Sequence, residues 1–293
     1  MRASIALSDV EAQYVSVPPL TLMAVHAHPD DEASSTGGLL ARSSAEGITT
    51  VVVTCTDGAL GDDAGGAKPN TEGYDRDRVV ATRHAELARS CEILGVSWLE
   101  QLDYRDSGMM GWPENDAPGS FWSLDVDEAA RPLVALMERY RPQVVVTYDA
   151  NGFYGHPDHI QAHRVTVAAA EATGIPAKVY FPTFPRSITP LFLEALREAG
   201  EEIPEPSDAE GEVTEPETWG TPDEEVSAWI DCSAVVELKR QALAAHASQT
   251  ESTFFLKIAA SRFASMFGTE AYVRYHDRTG APVPESDLFA GLR

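Results

Sequence analysis

The 293-residue chain carries 22 Lys and Arg against 46 Asp and Glu, a formal net charge of -24, and 43% hydrophobic residues. That is enough apolar material for a sizeable core. The charge excludes a nucleic-acid backbone and an anionic membrane surface as partners, since both require a basic footprint.

No apolar run reaches the ~18 residues expected of a membrane span, and Met1 to Pro19 contains acids without a compact apolar core, unlike a secretory signal. Cys55, Cys91 and Cys232 are widely spaced and form no CxxC pair, which fits a reducing compartment and a cytoplasmic location. The first strand is expected over Leu20 to Ala27. It ends abruptly in His28-Pro29-Asp30-Asp31-Glu32, and a helix follows from Asp31 to Glu46. The β-branched run Ile48 to Cys55 reads as a second buried strand. Ala59 to Tyr74, rich in Gly, Asp, Asn and Pro, is long for a plain connection and reads as a functional loop. A helix over Arg76 to Leu94 stops at Gly95, and Val96 to Leu102 supplies a third strand.

A helix over Asp127 to Tyr140 precedes a fourth strand, Val144 to Tyr148. Its end meets a second polar turn, Asp149 to His159, followed by a helix to Thr173 and a fifth strand, Lys178 to Phe181. This alternation implies an α/β fold: a Rossmann-like, mostly parallel sheet with helices on both faces. Residues 1–185 read as the metal-binding catalytic core, and 186–293 as an irregular C-terminal part packed on the same domain. Glu194 to Glu225 holds 13 acids against one arginine and reads as a solvated insertion. A strand at Val226 to Ile230, helices at Ser233 to Ala247 and Phe254 to Phe267, and a strand at Tyr272 to Tyr275 close the chain.

One HPDD and one HPDH turn, each after an apolar run, suggest one site at the carboxyl edge of the sheet. Acids in a first helical turn also complement the helix dipole without any chemistry, so neither turn is decisive alone. Hydrolytic zinc commonly takes two histidines and a carboxylate and keeps one position open. His28, Asp31 and His159 are the candidate ligands; Fe²⁺ or Co²⁺ would also suit them. Asp30, beside a ligand, is placed to take a proton from water at the open position. His156 is the candidate general acid, Asp158 its orienting carboxylate, and Tyr154 an oxyanion donor or a stacked loop residue. Support from behind a ligand, or plain packing, suits His163 better than ligation.

The segments VHAHPDDE, VVVTCTDG and VVVTYDANGFYGHPDHIQAH resemble the PIG-L/LmbE-like zinc deacetylases. RHAELARSCEILG, YRDSGM, LKRQALAAHASQT and DLFAGL extend the likeness over most of the chain. It is weakest from Leu191 to Thr221 and from Ala59 to Asp77. The resemblance implies zinc on His28, Asp31 and His159, and the roles above for Asp30, His156, Asp158 and Tyr154. It further implies that Arg83 and Asp106 hold sugar and inositol hydroxyls; a surface salt bridge and a turn cap are their structural alternatives. His246 and Gln249 match a family pattern without a role assigned. Within the family the likeness is to the mycothiol-biosynthetic deacetylases, which implies a small-molecule substrate, N-acetylglucosaminyl-inositol. The sister mycothiol S-conjugate amidases often carry proline where this chain has Gly155. Action on another N-acetyl sugar and a non-catalytic metal- or sugar-binding module are the remaining alternatives. The sequence leaves monomer and homo-oligomer both open.

Overall fold

A computed structural model describes residues 19–201, 219–249 and 255–293. Its seven strands are β1 (Thr21–His26), β2 (Thr49–Thr56), β3 (Trp98–Tyr104), β4 (Val144–Val146), β5 (Lys178–Thr183), β6 (Ala228–Asp231) and β7 (Thr269–Asp277). They form one sheet in the order β3-β2-β1-β4-β5-β7-β6. The first five pair in parallel, and β7 and β6 add antiparallel strands at one edge. The expected mostly parallel α/β sheet is therefore present.

Strand β1 shows why the sheet is covered twice. Side chains alternate across a strand, and here every position is buried, the four central ones being apolar. Leu22 and Ala24 enter one core with Val52, Leu87 and Leu243; Met23 and Val25 enter the other with Val53, Leu133, Met137 and Val165. Helices α1 (Asp31–Ala45) and α2 (Arg76–Leu94) cover the first face. Helices α3 (Val126–Tyr140) and α5 (Pro157–Thr173) cover the second, with a short turn of helix, α4 (Gly152–Gly155), before α5. Asp75 caps α2 through the Arg78 N–H, and Gly95 ends it at φ 69°. After β1 the chain builds outward through β2 and β3, then crosses back to place β4 on the other side of β1. This reversal opens a crevice at the carboxyl ends of β1 and β4.

The acidic stretch departs from its expected form at its beginning. Glu194 lies inside α6 (Thr189–Ala199), which buries Leu193, Ala195 and Leu196 while Glu194 and Glu198 face Arg262. The i, i+3 pair of leucines anchors this helix, and the density of acids on its other face hides that pattern. Residues 202–218 of the insertion, and the N-terminal stretch through residue 18, lie outside the described residues. The later helices are α7 (Val236–Ala245) and α8 (Ala260–Phe267), the latter shorter than expected and preceded by a 3-10 turn, Phe255–Lys257. Among the described residues, no helix is long and apolar enough to cross a membrane.

Buried Glu270 of β7 binds these later elements to the first helix. Its Oε1 accepts from the Gly38 N–H at 2.8 Å and Lys239 Nζ at 2.6 Å; its Oε2 accepts from the Leu39 N–H at 2.9 Å and the Tyr272 hydroxyl at 2.7 Å. A Cβ on Gly38 would come within 2.8 Å of both Glu270 Oε1 and Cys232 Cβ, so only glycine lets the strand approach this closely. Removing a partner from such a buried ion pair leaves a charge without compensation. Glu270→Ala is expected to cost about 3–5 kcal/mol, read as a lower urea midpoint; an unchanged midpoint would show that Lys239 and α1 find other partners.

Candidate metal centre and active site

The crevice is lined by the two polar turns. His28 lies two residues beyond the end of β1, and Asp31 opens α1, where its Oδ2 accepts the His28 backbone N–H at 2.8 Å. On the facing element, His156 caps α5, Pro157 occupies the first helical position, and Asp158 and His159 lie in the first turn. Proline suits that position because its missing N–H would have no helical partner. Gly152, at φ 62°, packs where a Cβ would meet His159 Cβ and the Ile160 nitrogen at 2.7 Å. Its carbonyl can thus meet His159 Nδ1 at 3.2 Å.

His28 Nδ1, Asp31 Oδ2 and His159 Nε2 converge, with separations of 3.5, 3.6 and 3.3 Å. Donors about 2.0–2.1 Å from a tetrahedral ion stand about 3.4 Å apart, so the triangle fits zinc or an ion of similar size. The hydrogen-bond network also orients the rings correctly. His28 Nε2 faces the Asp158 carboxylate at 3.2 Å, and His159 Nδ1 faces the Gly152 carbonyl. Each of those nitrogens must donate, which turns the lone pairs of His28 Nδ1 and His159 Nε2 toward Asp31. Two lone pairs and a carboxylate oxygen aimed at one point could hold a cation between them.

The electrostatics agree. Burial alone would lower the His28 pKa, but Asp158, Asp31 and Asp106 together raise it well above the ordinary histidine value. Burial, partly offset by Asp31 and reinforced by His28, lowers His159 to about 4. Asp31 is held well below the usual carboxylate range because His159 and His28 outweigh its burial. The pocket thus attracts positive charge to His28 Nδ1, where a metal ion would compete with a proton.

The other expected residues gather here with several changes of partner. The sequence reading pairs Asp158 with His156, whereas its carboxylate meets His28 and the Ser107 N–H, the latter at 2.9 Å. His156 Nδ1 instead accepts the Asp158 backbone N–H at 3.1 Å. Burial, with His28 and His159 nearby, lowers the His156 pKa far enough to keep this ring neutral. Tyr154 is 55% exposed, with its ring edge-on to His159 at 5.1 Å.

Arg83 and Asp106, expected to grip hydroxyls, are both engaged with the protein. Arg83 is 4% exposed; it donates to the Pro29 carbonyl at 2.7 Å and the Gly58 carbonyl at 2.9 Å, and lies 3.3 Å from the Asp30 carboxylate. Asp106 accepts from the Leu60 and Gly108 N–H groups and stands 3.9 Å from His28 Nε2. The surface salt bridge raised as the alternative for Arg83 does not hold, since the guanidinium is buried at the Gly58 turn, whereas Asp106, by accepting the Gly108 N–H, makes the turn cap raised for it. His163 Nδ1 donates to the Tyr148 carbonyl at 2.8 Å, consistent with packing. Its partner being a carbonyl oxygen, the ring nitrogen is the donor.

Sequence reasoning missed Tyr148. Its ring stacks on His159 at 4.2 Å, and its hydroxyl accepts the Ala27 N–H at 2.9 Å and lies near Asp31. The available signal was a phenol ending an otherwise aliphatic strand at the crevice.

A mostly parallel α/β sheet with imidazoles and carboxylates converging at its switch point is a scaffold able to hold a metal ion. Residues 23–170 match the family described as PIG-L, GlcNAc-PI de-N-acetylase, and the chain belongs to the PIG-L family as one of its amidohydrolases. It is 42% identical to the 1D-myo-inositol 2-acetamido-2-deoxy-alpha-D-glucopyranoside deacetylase of Salinispora arenicola, covering 94% of this chain and 93% of that protein. The Acidothermus cellulolyticus enzyme of the same name is also 42% identical, over 93% and 95% of the two chains. Among solved structures, the N,N'-diacetylchitobiose deacetylase of Pyrococcus horikoshii aligns with a TM-score of 0.57 at 16% identity, covering 92% of this chain and 88% of that one. The 4-carboxy-2-hydroxymuconate hydratase of Pseudomonas putida aligns with a TM-score of 0.58 at 19% identity, over 90% and 99%. These two likenesses show the fold alone.

The Asp158–His28 pair leads to a direct measurement. Carboxylates behind metal-binding histidines typically contribute 10- to 100-fold in affinity. Asp158→Ala is expected to weaken Co²⁺ and Zn²⁺ binding by about that factor in a chelator competition. Wild-type affinity in the variant would show that His28 needs no such support.

Proposed function

We propose that the protein is a zinc-dependent deacetylase that hydrolyses the N-acetyl amide of N-acetylglucosaminyl-inositol, as in mycothiol biosynthesis. The observation that carries the chemistry is the convergence of His28 Nδ1, Asp31 Oδ2 and His159 Nε2 beside Asp30. The substrate rests on relatives of that activity at about 40% identity across nearly the whole chain.

His28, Asp31 and His159 would hold the ion. Zinc bound there supplies a Lewis acid for the acetyl carbonyl and makes water nucleophilic near neutral pH. Asp30 takes the proton from the attacking water. Its carboxylate, aligned by Arg83 at 3.3 Å, needs no raised pKa for that task. His156 rests neutral, and its Nδ1 accepts a backbone N–H, so Nε2 carries the hydrogen. It therefore enters as an N–H donor to the tetrahedral adduct; to act as the acid it must itself be protonated, and the proton that Asp30 took from water balances the step by ending on the departing amine. Asp158 acts on this step through the backbone N–H that orients His156 and, separately, through His28. Tyr154, exposed above His159, offers its hydroxyl to the oxyanion. Asp106 lies at the crevice beside His28, where a sugar hydroxyl can reach it, while Arg83 acts by holding Asp30.

The turn that carries Tyr154 favours this reading over the sister amidase. Gly155 adopts φ 88°, whereas proline is fixed near -65°, so a proline-bearing turn would follow another path over the site. Separate rate measurements on N-acetylglucosaminyl-inositol and on a bulky mycothiol S-conjugate should give a higher kcat/KM for the former; the reverse order would assign the amidase. Asp30→Ala should retain stoichiometric zinc while kcat falls by about 10²–10⁴-fold. Near-normal turnover in that variant would remove Asp30 from the mechanism.

A further inference from the structure

Glu32 is the acid of the first turn that neither ligation nor base chemistry uses, yet it is 0% exposed. Buried carboxylates are retained only with partners, and this one has them on both oxygens. Oε2 accepts the Asp30 backbone N–H at 3.0 Å. Oε1 accepts from the Ser90 hydroxyl and from His246 Nε2, the latter at 2.8 Å. His246 is itself 0% exposed and stands at the end of α7, far along the chain from the turn it reaches.

Asp30 is what makes this network more than a buried ion pair. Its backbone lies at φ 131°, ψ -24°, a conformation that residues with a Cβ rarely adopt. Such a residue persists only where its surroundings over-determine it. The following helix takes its carbonyl, through the Ala33 and Ser34 N–H groups at 3.1 and 3.2 Å. Arg83 takes the preceding carbonyl, that of Pro29. Glu32 takes the N–H between them, so three separate restraints fix the peptide planes on either side of Asp30.

We propose that Glu32 and His246 are positioning residues for the catalytic base: His246 and Ser90 fix the Glu32 carboxylate, and Glu32 fixes the strained backbone that aims Asp30. This rests on the assignment of Asp30 as base. Through α7, the segment His246-Ala247-Ser248-Gln249 thereby couples the C-terminal part of the chain to the reacting turn. Ser248 bonds to Glu86, and the Gln249 amide NH₂ donates to the Asp62 carbonyl at 3.0 Å, so the same segment is also held against the loop beside Arg83. A carboxylate is required at position 32 because all three of its partners can donate to it at once, whereas an amide would turn one donor against another.

The test compares wild type with His246→Ala and His246→Gln, using N-acetylglucosaminyl-inositol and measuring bound zinc in each. His246→Ala should lower kcat about 10- to 100-fold, with KM within about twofold and zinc stoichiometric. His246→Gln, whose amide NH₂ can donate to Glu32, should restore most of the loss. A wild-type kcat in His246→Ala, or a loss that His246→Gln leaves uncorrected, overturns the proposal. Should His246→Ala fail to fold, Ser90→Ala removes another donor from the same carboxylate. It should lower kcat about 3- to 10-fold at unchanged KM and zinc content, and wild-type kcat there is equally fatal. Asp30→Ala in parallel separates the two failures: an active Asp30→Ala ends the base assignment, whereas an inactive one beside a wild-type His246→Ala ends only this inference.

Discussion

Three carboxylates and two imidazoles share one small volume at the ends of β1 and β4, and that convergence is the constraint around which the structure is arranged. Asp31, Asp106 and Asp158 all face His28, and His159 faces Asp31. In a buried setting such a set is mutually repulsive unless positive charge enters it. Burial raises the pKa of Asp158, and neighbouring Asp106 adds to the rise, although His28 pulls the other way. Positive charge between His28 Nδ1, Asp31 Oδ2 and His159 Nε2 would offset part of this repulsion. The ligand triangle thus follows from charge balance as much as from distance.

Holding that arrangement requires a backbone that cannot relax, which explains the density of hydrogen bonds behind the two turns. Tyr148 links β4 to the end of β1 through the Ala27 N–H and supports Asp31 and His159 with the same ring. Arg83 gathers Pro29, Gly58 and Asp30, and the glycines at 58 and 61 leave it room to do so. Charged groups so placed contribute less to stability than to geometry, since the desolvation of each offsets much of its attraction. Their effect is to place each reacting atom before substrate arrives, which is where electrostatic catalysis gains most.

Much of this was legible in the sequence, for a physical reason. The β-branched and aliphatic runs of β1, β2 and β4 fix where the sheet lies, and each run ends abruptly in a polar turn, so the carboxyl edge marks itself. The shared HPD pattern then places His28, Asp31, His156 and His159 together once β1 and β4 are neighbours. Partner choice was not legible. Asp158 is two residues from His156, and local spacing favours that pair, yet the helical turn points its carboxylate across the crevice to His28. Glu32 and His246 are 214 positions apart, and only the docking of α7 against α1 brings them together. The helix at Thr189–Ala199 was masked for a different reason: its acids dominate the composition, while its burial depends on a few apolar residues.

Fold alone would not have led to the chemistry. A hydratase and a deacetylase match this scaffold with nearly the same TM-scores, 0.58 and 0.57, so the sheet is a platform and the reaction lies in the side chains placed on it. What the proposed amide hydrolysis asks of this scaffold is a division of labour between adjacent acids. Asp31 faces the two imidazoles and is held ionised by them. Asp30, one residue earlier, is turned aside by its unusual backbone and paired with Arg83. An ordinary helical start would place successive side chains about 100° apart around the axis and gives no reason for both acids to serve one centre. The strained residue at the start of α1 resolves this, because it lets the proposed base and the proposed ligand lie next to each other in sequence and still address the same few ångströms of space.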